Sequence, residues 1–342
     1  MRKLAYVVNV DEITPIEGAD RIELARVMGW RAVVKKDAFK VGQKAVFFEI
    51  DSFLPMKPEY EFLRASSYRK LKDGTEGYRL KTCKLRGQLS QGLLLPLETV
   101  WLPEDIEVGT DVTDLLKVLE WQDLQPMPGA KLGSISKGSG HPFPAFLSKT
   151  DEERVQTYNA LQSFVDKELY ITEKVDGTSM TVFYKADEGR FGVCSRNLEL
   201  ECEEGNAYWD YVKLIGLEER LRNYGQSIAL QGELFGAGIQ SNPYKMKIRQ
   251  VLWFNVYDIT NHARMDYYAM HGVLASLKLS MVPELDIKVD ASKVLDRDYW
   301  LKLAEGKSVL GDTEREGIVI RQRRNTEYSF KAISNKYLLV SE

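Results

Sequence analysis

The segment Glu173-Lys174-Val175-Asp176-Gly177-Thr178 places an amine two residues before a carboxylate, with a glycine directly after it. A lysine attacks a phosphorus atom only when neutral, and burial or neighbouring positive charge lowers its pKa toward working pH. Asp176 could hold a ribose hydroxyl or a metal-bound water, and Gly177 would let the backbone turn tightly beside a nucleotide. A K-x-D-G string alone equally describes a surface turn carrying a Lys-Asp pair. What distinguishes this one is the ordered series that follows. It runs Ser195-Arg196-Asn197, Gly232-Glu233-Leu234-Phe235-Gly236, Trp253-Phe254-Asn255-Val256-Tyr257-Asp258, Glu316-Gly317-Ile318-Val319-Ile320-Arg321 and Phe330-Lys331-Ala332-Ile333. Singly, Glu233 and Glu316 also read as solubilising strand residues, Phe254 as a core aromatic and Lys331 as a solvated strand residue.

Other chemistries find little support. The cysteines Cys83, Cys194 and Cys202 lack C-x-x-C spacing and are too scattered for a disulfide framework. The histidines His141, His262 and His271 stand far apart, without H-E-x-x-H, so a His-based metal site or a Ser-His-Asp triad is not expected. A net charge of −3 excludes a globally basic nucleic-acid-coating protein but leaves room for a local basic face. With no long apolar run and no signal-peptide pattern at Met1-Arg2-Lys3-Leu4, a soluble intracellular protein is expected.

The elements that must position these residues divide in two. Over the first hundred residues, short runs such as Leu24–Val27, Arg31–Val34, Ala45–Ile50 and Gly92–Pro96 are separated by Gly29, Gly42 and Pro55, the punctuation of a small barrel or sandwich. A short helix is expected over Thr113–Leu119. From Pro126 to Pro144 the composition turns to Pro, Gly, Ser and Lys, which marks a boundary. Thr150-Asp151-Glu152-Glu153 has the form of a capping box and predicts a helix to about Asp166, whose N-terminus would favour an anion. Beyond it, strands are expected at Leu169–Glu173, Met180–Lys185, Phe191–Ser195, Ile228–Leu234, Val251–Ile259, Gly317–Arg321 and Ser329–Ile333, and helices at Asn206–Arg222 and Tyr267–Leu279. The fold class is α+β, built largely on antiparallel sheets.

The ordered series resembles motifs I, Ia, III, IIIa, IV and V of the covalent nucleotidyltransferase superfamily of polynucleotide ligases and mRNA capping enzymes, over nearly all of residues 150–342. The resemblance implies that Lys174 is the nucleophile and takes AMP from ATP. Arg196 would contact a phosphate or the incoming end, and Phe254 would stack on adenine. Asp176, Glu233 and Glu316 would act on ribose hydroxyls and on waters of Mg²⁺ or Mn²⁺, and Lys331 would bind the α-phosphate. Glu173 and Gly177 are assigned to the same nucleotide pocket. Phe143–Phe146 and Thr150–Gln156 resemble the segment preceding the nucleophile in RNA ligases, which makes Arg154 the candidate for the γ-phosphate. The family has two closely spaced lysines in motif V. Here four residues separate Lys331 from Lys336, which is a possible second contact.

DNA ligases and capping enzymes carry an OB domain after motif V, whereas this chain ends eleven residues past Lys331. Instead Pro15–Leu24 and Leu85–Leu94 resemble signatures of tRNA-binding OB domains, which grip single strands through basic grooves and aromatic platforms. Trp30, Lys35, Lys36, Tyr68, Arg69, Lys70, Lys84 and Arg86 offer both ingredients. The layout resembles RNA ligase family 5, the Naegleria type: an N-terminal OB-fold β-barrel over 1–125, a linker over 126–148 and an adenylyltransferase domain of antiparallel sheets with flanking helices over 149–342. RNA, as a nicked duplex or broken ends, is the expected partner, and RNA repair the expected setting. The rival readings are an ATP-dependent DNA ligase, a capping-type guanylyltransferase, and an RNA-binding OB protein without enzymatic activity.

Overall fold

The computed structural model describes residues 2–71, 73–121 and 140–341, apart from the side chain of Ser341. It divides into two compact units, Met1–Gln125 with Leu338–Glu342, and Pro126–Tyr337.

The first unit is made of short antiparallel strands. Ile22–Val27 and Trp30–Lys35 alternate buried and half-exposed residues, the period of strands with one face in a core. They pair with each other, and Glu12–Pro15 flanks the first of them. Lys44–Phe48 runs between Ala5–Asn9 and Leu93–Pro96, burying Val7, Val46, Phe48 and Leu95 together with Tyr60 and Tyr78. The helix expected over Thr113–Leu119 does not form. Leu116 N donates to Val112 O at 2.9 Å and Lys117 N to Asp114 O at 3.1 Å, but Lys117 then takes a φ of 58° and Leu119–Glu120 joins a sheet.

The second unit holds two antiparallel sheets. The larger has the order Gly140–Pro142, Leu198–Leu200, Arg190–Cys194, Thr178–Lys185, Ile228–Gly236, Arg249–Asp258, Ala263–Arg264. In the smaller, Gly317–Gln322 lies between Leu169–Lys174 and Ser329–Ile333. The expected strands are present, shifted at their ends by one or two residues. Gly140–Pro142, placed in the linker on composition, instead pairs with Leu198–Leu200, and Phe143, Phe146 and Leu147 pack behind it; the earlier linker residues 126–139 lie outside the described residues.

One face of the large sheet packs Met180, Val182, Leu230, Trp253 and Val256 against the helices Ala207–Ile215, Leu217–Tyr224 and Tyr267–Ser276. The single helix expected over Asn206–Arg222 is broken at Gly216, which takes a φ of 63°. The opposite face is apolar at its two ends, with Leu147, Phe183, Ala229 and Tyr257 at one and Val175, Phe235, Tyr244 and Leu252 at the other. Between these ends the strands set Thr181 opposite Gln231, Ser179 opposite Glu233, and Gln231 opposite Asn255. A polar band thus crosses an otherwise apolar face, and buried polar groups are costly unless something satisfies them.

A β-bulge adjusts this band. The register passes from Gln231↔Asn255 to Gly232↔Trp253, leaving Phe254 as the extra residue. Trp253 and Val256 therefore keep to the helix-covered face, while the consecutive residues Phe254 and Asn255 both point away from it.

The capping-box helix is the clearest departure from expectation. Residues 151–153 form no helix, Val155 N donates to Lys331 O and Lys331 N to Glu153 O, each at 2.8 Å, and only Leu161–Phe164 is helical, as a 3-10 turn. The carboxylate of Glu152 is spent on Arg321 and Ser329 rather than on a helix start, and that tertiary pairing overrides the local signal. Asn206, by contrast, caps the Ala207–Ile215 helix by accepting from Tyr208 N and Trp209 N at 3.0 and 3.3 Å. Asn206→Ala should lower unfolding free energy by about 1 kcal/mol, read as a lower thermal midpoint, with no change in covalent nucleotide labelling.

Candidate active site

Lys174 ends the first strand of the small sheet, opposite Gly317 of the central strand. Glu316 immediately precedes Gly317, so register alone brings the two side chains together. The ammonium Nζ lies 2.7 Å from both carboxylate oxygens of Glu316. Glu233, from the polar band of the large sheet, and Asp176, two residues past Lys174, add their negative charge to the same amine. Burial would lower the pKa of Lys174, but Glu316, Glu233 and Asp176 outweigh it and hold the group above the ordinary lysine range. The expectation that this lysine is kept neutral by burial or by positive neighbours is therefore corrected, because its neighbours are carboxylates.

The balance of charge explains Glu233. One ammonium faces three carboxyl groups, and its ion pair goes to Glu316. Desolvation and repulsion from Glu316 and Asp176 push it up to about 8, against the pull of Lys174 and Arg196. Lys174 and Glu316 thus form an ion pair at 2.7 Å, with the Glu233 carboxyl held beside it above the usual carboxylate range.

Asp176 is held from two sides. Its backbone N–H donates to Tyr244 Oη at 2.7 Å, and Tyr337 Oη donates to its Oδ2 at 2.6 Å. Gly177 is required by close approach rather than by a tight turn: a Cβ there would stand 2.4 Å from the Leu234 carbonyl. The Lys174 loop can therefore lie directly against the strand that carries Glu233.

The remaining expected residues fall into two groups. Lys331 acts electrostatically on Glu316, and its strand is bridged to Arg154, which is buried. Arg196 acts on Glu233 while its guanidinium pairs with Asp151 at 3.0 Å. Phe254 lies half-buried with Val175 and Tyr244, under the guanidinium of Arg321 at 5.6 Å from the ring centroid. Glu173 does not join the cluster. Adjacent strand residues face opposite ways, and its carboxylate accepts from Ser308 Oγ and from Val309 N, fixing the loop at 308–310. Lys336 pairs instead with Glu305 at 3.0 Å. No motif pointed to Tyr244, Tyr337 or the Glu152–Arg321 pair, which is buried at 2.6 Å and accepts from Ser329. Arg321 was visible only as the last residue of its strand motif.

Among the described residues, no three His, Cys, Asp or Glu side chains stand close enough to hold a metal ion directly. The donor set nevertheless fits a hydrated divalent cation. Asp176, Glu233 and Glu316 gather more negative charge than one lysine neutralises, and carboxylates reach Mg²⁺ or Mn²⁺ readily through its waters.

Known proteins resemble this chain over both regions. An OB-fold domain model matches residues 4–97 and an RNA ligase model matches residues 167–333. Naegleria gruberi RNA ligase with PPi superposes with a TM-score of 0.88 at 37% identity, covering 99% of this chain and 98% of that one. A mutant of that ligase with ATP and Mn gives a TM-score of 0.87 at 36% identity, covering 98% of each chain, and another with AMP and Mn gives the same values. No curated protein matches. The chain belongs to the RNA ligase family, with an OB-fold preceding the ligase domain. It is accordingly an enzyme, with RNA as its substrate. No helix among the described residues is long and apolar enough to cross a membrane.

The raised pKa of Glu233 has a consequence for stability. A carboxyl shifted from 4.5 to about 8 on folding contributes stability that is full below 4.5 and is lost as pH rises through 8. Lys174, raised above 10.5, exerts its effect only at higher pH. Between pH 5 and about 9, wild-type thermal stability should fall relative to Glu233→Gln, and parallel melting curves for the two proteins would refute the assignment.

Proposed function

We propose that this chain seals RNA breaks by storing AMP on Lys174, passing it to an RNA 5′-phosphate and joining that end to a 3′-hydroxyl. The observation that carries the reading is the amine of Lys174 locked by both oxygens of Glu316, with Glu233 and Asp176 beside it. ATP with Mn, AMP with Mn, and PPi accompany the Naegleria ligase structures, and they are the substrates and products such a lysine would handle.

In the first step Lys174 Nζ forms a bond to the α-phosphorus of ATP and pyrophosphate leaves. Nζ must first lose a proton, and the nearest acceptor is the Glu316 carboxylate at 2.7 Å. A hydrated Mg²⁺ or Mn²⁺ at Asp176, Glu233 and Glu316 would neutralise the field that holds Lys174 protonated and offset charge on the phosphates. Lys331, which acts on Glu316, would bind the α-phosphate, and the buried Arg154 bridged to its strand would bind the outer phosphates. Arg196 serves the 5′-phosphate, Phe254 the base, and Gly177 the close approach of the loop. In the second step an RNA 5′-phosphate oxygen attacks the same phosphorus and Lys174 leaves. In the third, the 3′-hydroxyl attacks the RNA 5′-phosphorus and AMP departs. Both are in-line displacements governed by alignment. Glu173 takes the role of loop support rather than nucleotide contact, and Lys336 is given none. A nicked duplex or a broken strand is the RNA this activity serves, and repair its setting. The OB-fold unit would grip the nucleic acid.

Incubation with Mg²⁺ and α-labelled ATP should yield an acid-labile protein adduct, with far less from labelled GTP. Lys174→Ala should take no label yet still seal pre-adenylated RNA, and Glu316→Ala should label at least about a hundredfold more slowly. Persistent labelling of Lys174→Ala would sink the assignment. Preferred labelling by GTP would favour a capping-type enzyme, and equal sealing of DNA and RNA 3′-hydroxyl strands a DNA ligase.

A further inference from the structure

The polar band on the large sheet contains more than the carboxylate that faces Lys174. Gln231 and Asn255 are 1% and 4% exposed, yet they lie across from each other in the middle of a face whose two ends are apolar. Their hydrogen bonds leave one atom unaccounted for. The Ser148 carbonyl can only accept, so the group of Gln231 that meets it at 2.7 Å is the Nε2 amide. Gln231 Oε1 must then face Asn255, and Asn255 Nδ2 must donate to it. The chain of donors thus fixes the orientation of the Asn255 amide and leaves its Oδ1 as the acceptor that the chain does not engage.

The bulge supplies the location. It turns Asn255 to the same side as Phe254, the aromatic surface assigned to the base, and on the neighbouring strand Gln231 lies two residues before Glu233. We propose that Asn255 is the residue that reads the six-position of the nucleotide base, its Oδ1 accepting a hydrogen bond from the exocyclic amine of adenine, and that Gln231 is the positioning residue that holds it in that orientation. A fixed acceptor at this place pairs with the amine of adenine and opposes the six-oxo group of guanine. In a site with so little solvent, the mismatch leaves two acceptors facing each other without a proton between them. The inference rests on the reading of Lys174 as an AMP-accepting lysine.

The test compares rates of covalent labelling by α-labelled ATP, purine riboside triphosphate, which lacks the amine, and GTP, on the full chain. Wild type should label from purine riboside triphosphate about tenfold more slowly than from ATP. Asn255→Ala should label from the two at nearly the same rate, and its preference for ATP over GTP should shrink by a comparable factor. Gln231→Leu, which retains Asn255 but frees its amide to rotate, should fall between them. Equal labelling of wild type by ATP and purine riboside triphosphate would overturn the proposal whether or not the variants fold. So would an amine penalty that is the same in wild type and Asn255→Ala. Failure of ATP to label wild type at all would overturn the lysyl-AMP reading and the base assignment with it.

Discussion

A lysine set among three carboxyl groups organises the ligase domain. Lys174 and Glu316 come from adjacent strands of the small sheet, Glu233 comes from the large sheet, and Asp176 comes from the loop after Lys174. None of these positions tolerates slippage. A one-residue shift in register between Leu169–Lys174 and Gly317–Gln322 would turn Lys174 to the opposite face. Buried charge normally penalises folding, and here it is offset pairwise only for Lys174 and Glu316. Glu233, left outside that pair, is held above the usual carboxylate range by burial and by its carboxylate neighbours, which makes the site responsive to a cation that enters with a nucleotide.

That arrangement depends on backbones that approach closely. A Cβ at Gly177 would collide with the Leu234 carbonyl, and one at Gly317 would stand 2.2 Å from the Ala332 carbonyl. The glycines next to the nucleophile and next to Glu316 thus serve the same purpose, letting the strands that carry charged side chains lie tightly against their neighbours. Tyr244 and Tyr337 then fix Asp176, while Ser308 and Val309 hold Glu173 on the far side of its strand. The loop bearing Lys174 is fastened at nearly every residue, as in-line attack on a phosphorus atom requires.

How much of this was legible in the sequence follows from how local each signal is. Strands in the ligase domain carry strong periodic patterns, so Leu169–Lys174, Ile228–Gly236 and Gly317–Gln322 were readable, as were the ordered residues Lys174, Glu233 and Glu316. The helix expected after Thr150 failed because Glu152 has a better partner in Arg321, a residue 169 positions away that no local pattern reports. Glu173 belongs to the nucleotide pocket in the resemblance, but neighbours along a strand face opposite ways, and its carboxylate goes to Ser308 and Val309. Lys336 stands as a possible contact because the resembled family carries a second lysine in motif V, and in the fold it pairs with Glu305. Tyr244 and Tyr337 had no signal because their function is defined by a contact with Asp176 that only the fold creates.

The bulge at Phe254 shows why the finer features of such a site escape linear reading. In an unbroken strand, Phe254 and Asn255 would face opposite sides, one toward the base and one into the core against the helices. A single extra residue changes the phase, so an aromatic surface and an amide point the same way, and Val256 returns to the core in place of Asn255. A buried amide would be a liability in that core, but on the polar face it is held by Gln231, which is held in turn by Ser148. The same phase change therefore does two things at once: it keeps the helix-covered core apolar, and it leaves a fixed acceptor beside the surface on which a base would stack.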